Sequence, residues 1–366
     1  MVSNENISTA HFFTYVFMFT IGSTILIIPS FLAESAKQDA WFAAIVGVGI
    51  GSILVFLFSS IGKRFENKSL YEINEEVFGK WIGKITTYYY SFYFLVLSAL
   101  LVREVGDFLT QNVMRETPIQ AIMMIFILVI VMGIKLGLSV LFNAAQLFLP
   151  IMLLLLFIFF AGLLPQIDIN NLFPVLEEGI KPILKADYYF IGVPFLELII
   201  FNIVYPFVDE QKNLRKVFLF AVLGGGGVLI VLTLLHILVL GGHLTAHFAH
   251  SSYYLAKKIN VGNFLNRIEV VMAIIWFISL YFKAALCFYA TNVGIMHLFN
   301  LKSYGSIVFP FGMILTIFSL VISPNSAYFH TFVAYSWTPY SLSIGLVLPL
   351  ILLAVHTVKK KRNTEL

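Results

Sequence analysis

The sequence predicts an all-α integral membrane protein of ten transmembrane helices, laid out as two inverted five-helix halves, each opening with an interrupted helix. Three observations carry this. Of 366 residues, 60% are hydrophobic and 11% charged, and the mean hydropathy is +0.92, more apolar surface than a water-soluble core of this length can bury. The apolar residues fall in runs of about 17 to 25, the length that crosses about 30 Å of hydrocarbon. Two of those runs contain helix breakers, Ile21-Gly22-Ser23-Thr24 and Ile191-Gly192-Val193-Pro194.

The first half takes in runs at Phe12 to Leu32, Trp41 to Ile61, Lys84 to Leu109, Pro118 to Ile134 and Val140 to Leu164. Those of the second half are Tyr188 to Val208, Val217 to Leu240, Val270 to Leu298, Ser306 to Ile322 and Phe332 to Val358. All belong to one polytopic domain, 1–366, with repeats at about 12–164 and 188–358 and a short basic tail at 359–366. No Lys or Arg precedes Phe12, and no small-residue cleavage site follows the first run, so that run is expected to stay as a helix and not to be removed as a signal peptide. The lone cysteine, Cys287, excludes an intrachain disulfide.

Ten crossings place both ends on one side. With both ends inside, the inner segments hold 14 of the 23 Lys and Arg residues and the outer segments, which include Arg267, hold 8, leaving Lys283. The bias predicts cytoplasmic termini, and the terminal "KKKR" strengthens it. Juxtamembrane lysines of this kind serve orientation and anionic lipid, so no nucleic-acid partner is expected.

The loops carry local order. In "SLYEINEEVFGKWIG", Ser69 and Glu72 form a capping-box pattern, and Leu70, Ile73, Val77 and Trp81 recur at helical spacing, which predicts a short amphipathic helix on the inner face. The outer segment "PQIDINNLFPVLEEGIKPI" predicts ordered loop or short helix.

The two breaks lie 170 positions apart, from Gly22 to Gly192. Interrupted helices in corresponding positions of two halves point to an inverted-repeat transporter fold with a ligand site at mid-membrane. Unwound backbone survives at that depth only where it is buried in protein or lines a cavity. The alternative is close packing at Gly22 and Ser23 with a simple kink at Pro194.

Two ionisable residues accompany the breaks. Glu197 follows the second within a turn, and Lys283 is flanked by apolar residues for more than two turns on each side. A charge at that depth costs about 2.5–3.5 kcal/mol on insertion scales, so such residues face a partner, a cavity or an ion path. The pair either forms a structural salt bridge or lines a polar pocket in which Lys283 meets an anionic ligand group. Cys287, one turn on, shares the face of Lys283. Arg103, Glu104 and Asp107 form another charged group, expected nearer the outer end as solvated or structural residues.

Other patterns carry less. Gly224 to Gly227 lack the Gly-Lys-Ser/Thr of a phosphate loop and predict close packing. His243, His247 and His250 have metal-compatible spacing but no nearby acid or cysteine to complete a set, so no metal or other cofactor is expected. No catalytic triad or dyad can be assembled, and the chain is not expected to be an enzyme.

Taken in order, "IGSTILIIP", "GKWIG" at 79–83, "TPIQ" at 117–120, "DINNLFPVL" at 168–176, "PFLE" at 194–197 and the Trp276, Phe282-Lys283, Phe288-Tyr289 pattern resemble the endospore germination permease family. These are the B subunits of spore germinant receptors, a branch of the amino acid, polyamine and organocation superfamily. The resemblance implies a LeuT-like 5+5 fold with broken helices 1 and 6, in the inner membrane of the spore. It implies a small germinant as ligand, an amino acid foremost, and a receptor A subunit and a lipoprotein C subunit as partners. The pocket it implies lies between the first, third, sixth and eighth helices and takes in Gly22, Ser23, Leu97, Phe195, Leu196, Glu197, Lys283 and Cys287, beside Gly192 of the second break. Leu97 rests on the resemblance alone. A proton- or sodium-coupled amino-acid transporter is the alternative that uses the same pocket.

Overall fold

The computed structural model describes residues 6–209, 211–259 and 268–364; Arg267, counted above among the outer charges, lies outside them. Apart from one isolated parallel bridge between Ile7 and Val208, the described residues are helices and their connections. Seven stretches are long and apolar enough to cross a membrane, from Thr24–Arg64 near the N-terminus to Ser326–Arg362. Thr9–Ile21 and Val308–Val321 are shorter apolar helices beside them.

The first apolar run is divided into α1 (Thr9–Ile21) and α2 (Thr24–Ala36). Gly22 lies between them at φ +29°, where a side chain would be strained, and its N–H closes α1 onto the Met18 carbonyl at 2.8 Å. Pro29 sits inside α2 without ending it. Next come α3 (Ala40–Arg64) and α4 (Leu70–Phe78), a short helix where the sequence predicts one. Its capping box forms, with the Ser69 N–H donating to Glu72 at 2.7 Å. Trp81 is not part of it: Gly79, at φ +80°, ends α4, and Trp81 stands exposed at the start of α5 (Lys80–Asn112).

Next come α6 (Ile119–Leu136) and α7 (Leu138–Leu163), whose exposed faces are apolar, as lipid contact requires. The segment that follows, expected as ordered loop or short helix, forms two 3₁₀ turns, Leu164–Gln166 and Ile169–Leu172. The second break is longer than the first. α8 (Lys181–Gly192) stops, 3₁₀ geometry occupies Leu196–Ile200, and α9 (Phe201–Val204) is a single turn.

In α10 (Leu214–His247) the close packing expected of the four glycines holds at Gly225 and Gly226, where a Cβ would come within 2.9 Å of Thr20 and 2.7 Å of Val48, and not at Gly227, where it would meet nothing within 4 Å. α10 therefore lies hard against α1 and α3. His243 and His247 are exposed, while His250 is buried with its ring 5.4 Å from Phe108, so the three do not share one environment. Beyond α11 (Ser251–Ala256), α12 (Glu269–Leu298) is buried along most of its middle. The chain finishes with α13 (Val308–Val321), α14 (Ser326–Phe332), α15 (Thr338–Leu342) and α16 (Leu348–Thr364), the last three joined by π-helical turns at Val333–Trp337 and Ser343–Val347.

Candidate functional site

α12 passes both breaks and is tied to each. At the first, the Ser279 hydroxyl donates to the Gly22 carbonyl at 3.2 Å, and the Tyr15 hydroxyl of α1 donates to the Phe282 carbonyl at 2.9 Å. One turn beyond Ser279, Lys283 reaches across both. Its Nζ lies 2.6 Å from Glu197 Oε2, donates to the Val193 carbonyl at 3.3 Å and donates to Ser23 Oγ at 3.4 Å. The Phe19 ring lies 5.1 Å from the ammonium, a cation–π contact. Lys283 and Glu197 are both 0% exposed.

The local chemistry explains why the chain bends here. A helix that ends at Gly192 leaves carbonyls without intrahelical partners, and the ammonium takes one of them. Gly22 is required twice, for its φ and for space, since a Cβ there would sit 2.5 Å from Lys283 Cδ. Glu197 Oε1 accepts a hydrogen bond from Trp337 Nε1 at 3.0 Å, so both carboxylate oxygens are engaged, one by charge and one by the indole. The Trp337 ring in turn stacks on Tyr93 of α5 with centroids 5.0 Å apart.

Gly22, Ser23, Glu197 and Lys283 thus meet, and Cys287 is buried one turn beyond Lys283 on α12. Leu97 is buried on α5 one turn from Tyr93, whose ring stacks on Trp337. The other three residues face elsewhere. Phe195 packs on Gly51 of α3 and on the Phe190 ring at 5.2 Å, Leu196 packs on Gly345, and Gly192 abuts Thr338 of α15. The carbonyl that binds the lysine is that of Val193, one residue past the glycine. Trp337, Ser279 and Phe19 join the site without having been expected there.

Arg103, Glu104 and Asp107 are all buried, so of the two expected readings, solvated or structural, burial rules out the solvated one. Arg103 and Asp107 pair one turn apart at 3.0 Å, with the guanidinium also donating to the Leu320 and Pro324 carbonyls at 3.4 Å. The helix hides them because α13 and the segment after it supply the acceptors that water would otherwise provide.

The centre is closed on both flanks. On one side a groove of about 250 Å³ is lined by Phe108, Tyr253, Trp276 and Phe277; on the other a cavity of about 200 Å³ is lined by Tyr71, Glu72, Phe207, Tyr289 and His297. Neither lining includes Lys283 or Glu197. At the second flank the Ile7 N–H donates to the Phe207 carbonyl and the Asp209 N–H to the Ile7 carbonyl, each at 2.9 Å, so the chain before α1 is stitched to the end of the second broken segment.

Interrupted helices that meet at a buried site recur in transporter folds, and the comparisons bear on the family and the fold. Residues 6–327 match the model of the Spore_permease family, spore germination proteins. The chain belongs to this family. Among its relatives, spore germination protein KB of Bacillus subtilis (strain 168) is 30% identical over 372 aligned residues, covering 100% of this chain and 98% of that protein. The putative spore germination protein YfkT of the same organism is 29% identical over 81% of each chain, and spore germination protein XB of Bacillus anthracis is 20% identical over 96% of this chain and 99% of that one. The fold is shared with Mhp1, a nucleobase-cation-symport-1 family transporter solved in a closed conformation with bromovinylhydantoin bound, at a TM-score of 0.60 and 12% identity, over 91% of this chain and 75% of that one. This spore germination protein is therefore a multi-pass membrane protein with a transporter fold.

Proposed function

We propose that the protein is the ligand-sensing B subunit of a spore germinant receptor. It binds a small nutrient, an amino acid foremost, at the Lys283–Glu197 centre and triggers germination through a receptor A subunit and a lipoprotein C subunit. It acts by binding and signalling and not as an enzyme, and needs no cofactor. The observation that carries the reading is the reach of Lys283 to both breaks: one side chain holds Ser23 on the first broken helix and Val193 and Glu197 on the second. A ligand carboxylate that attracts the ammonium loosens both helices at once, which converts binding into movement of the two halves. The free N–H groups at the start of α2 offer the same carboxylate a second set of donors.

We place ten crossings in the inner membrane of the spore, as two inverted five-helix repeats in one domain, with both termini cytoplasmic. In this count α1 with α2 forms the first crossing and α8 with α9 the sixth. A cysteine introduced into the tail 359–366 should resist an impermeant thiol reagent applied to intact cells; labelling from outside would reverse the topology.

The shared fold with Mhp1 favours one alternative, a proton- or sodium-coupled amino-acid transporter. Uptake of labelled amino acids into proteoliposomes separates the two. A sensor binds without concentrating its ligand, whereas accumulation driven by a proton or sodium gradient would establish transport. Spores carrying this receptor alone, given single amino acids and sugars, should germinate with one or a few amino acids.

A further inference from the structure

The groove beside Trp276 has a floor of buried rings and an open apolar side. Phe108 and Trp276 meet with ring centroids 4.6 Å apart, and Tyr253 of α11 stands edge-on to Phe108 at 5.2 Å; all three are buried. Val270, Ile274 and Phe277 line the open side at helical spacing along α12, joined by Val113 just past α5, and all four are exposed. They belong to or adjoin a helix, Glu269–Leu298, long and apolar enough to cross a membrane, so the surface they form meets hydrocarbon. Asn112, the polar amide of the lining, donates to the Phe108 carbonyl of its own helix at 3.0 Å, and no charged side chain lines the groove among the described residues.

The charge is at the rim. Lys257, which follows α11, holds its ammonium 4.6 Å from the centroid of the Tyr253 ring and 5.0 Å from that of Tyr254, and Lys258 comes next; both lysines are exposed. A cation thus stands over a ring that lines an apolar groove.

The shape and the charge select the occupant. A single turn of helix, about 5.4 Å long and about 10 Å across, needs more room than a groove of this size gives, so a partner's helix does not enter and one hydrocarbon chain does. Basic residues at a membrane surface attract anionic lipid heads. We infer that the groove seats one acyl chain of an anionic phospholipid whose phosphate rests at Lys257 and Lys258. The chain abuts Phe108 and Trp276, the rings that separate the groove from the interior, and so backs the closed flank of the charged centre. This does not depend on what the centre binds.

The test uses the purified full chain in detergent and native mass spectrometry, with phosphatidylglycerol and phosphatidylcholine of identical acyl chains as probes. One phosphatidylglycerol should be retained per chain, half-saturating at about a tenth or less of the phosphatidylcholine concentration, the effect of two lysines beside an anionic head. Lys257→Gln with Lys258→Gln should bring the two lipids within about twofold of each other, and Ile274→Trp, which fills the groove, should abolish retention of both. Equal retention of the two lipids by the parent, an unchanged preference in the lysine variant or unchanged retention in Ile274→Trp would each overturn the proposal. Should Ile274→Trp fail to fold, glycerol 3-phosphate decides: it carries the head without the chains and should leave the lipid bound, and displacement at a concentration equal to that of the lipid would overturn the proposal. A parent that retains no lipid would do so too, whether it is a monomer or a dimer that Ile274→Trp dissociates, the latter assigning the groove to a second copy.

Discussion

The two broken helices contribute different chemistry to one site. At the first, the break is two residues long, its geometry is carried by Gly22 at φ +29°, and it offers neutral dipoles: the Ser23 hydroxyl to Lys283 and the Gly22 carbonyl to Ser279. At the second, helix gives way to 3₁₀ turn, and the break supplies a carbonyl from Val193 and a full negative charge from Glu197. Lys283 is therefore held closely by the second helix, at 2.6 Å, and loosely by the first, at 3.4 Å. The difference teaches where the lysine is anchored: the second broken helix holds it by charge and by a carbonyl, and the first by one long hydroxyl contact.

The comparison breaks most severely at the lysine. Lys283→Ala leaves Glu197 buried without its counter-charge, and truncating one partner of such a pair costs about 3–5 kcal/mol. Membrane abundance of the single variant should collapse, measured by quantitative immunoblot, while Ser23→Ala, which removes only the weak contact, should accumulate normally.

The glycines sharpen it next. Gly22→Ala strains the backbone and pushes on Lys283, whereas Gly192→Ala pushes on Thr338. Each is expected to destabilise the protein by about 1–3 kcal/mol, the usual cost of overpacking. Thr338→Ala should recover part of the loss at Gly192 and none of that at Gly22. Equal rescue of both would mean that the two glycines face one cavity.

A smaller effect is expected at Trp337→Phe, which keeps the stacking on Tyr93 and removes the indole donor to Glu197. A hydrogen bond to a charged group contributes about 1.5–3 kcal/mol, and unfolding of the purified variant should show a loss in that range.

Much of this was legible in the sequence because a membrane makes certain residues expensive. A lysine and a glutamate in apolar runs, and glycine beside proline or serine in a helix, have few reasons to exist there, and the structure joins Gly22, Ser23, Glu197 and Lys283 accordingly. What stayed hidden depends on orientation. Phe195 and Leu196 follow an irregular turn, where no helical period fixes the direction of a side chain, and they face α3 and Gly345. The Val193 carbonyl is backbone, which sequence does not distinguish from any other. Trp337 sits in the last apolar run, where an indole is ordinary, and only the fold brings it to Glu197. The burial of Glu104 was obscured by its neighbours: Arg103 and Asp107 are one turn apart and pair, while Glu104 lies about 100° from Arg103 around α5 and is buried.

The central claim is that the Lys283–Glu197 pair belongs to the ligand site and does more than hold the helices together. The double variant Lys283→Ala with Glu197→Ala removes both charges together, so no buried charge is left unpaired and abundance should return toward that of the parent. Germination of spores carrying it as their sole receptor, with membrane abundance matched to the parent, is the direct measurement. The account predicts normal accumulation and no response to the nutrient that triggers the parent; germination near the parental rate would contradict it and reduce the pair to a structural tie.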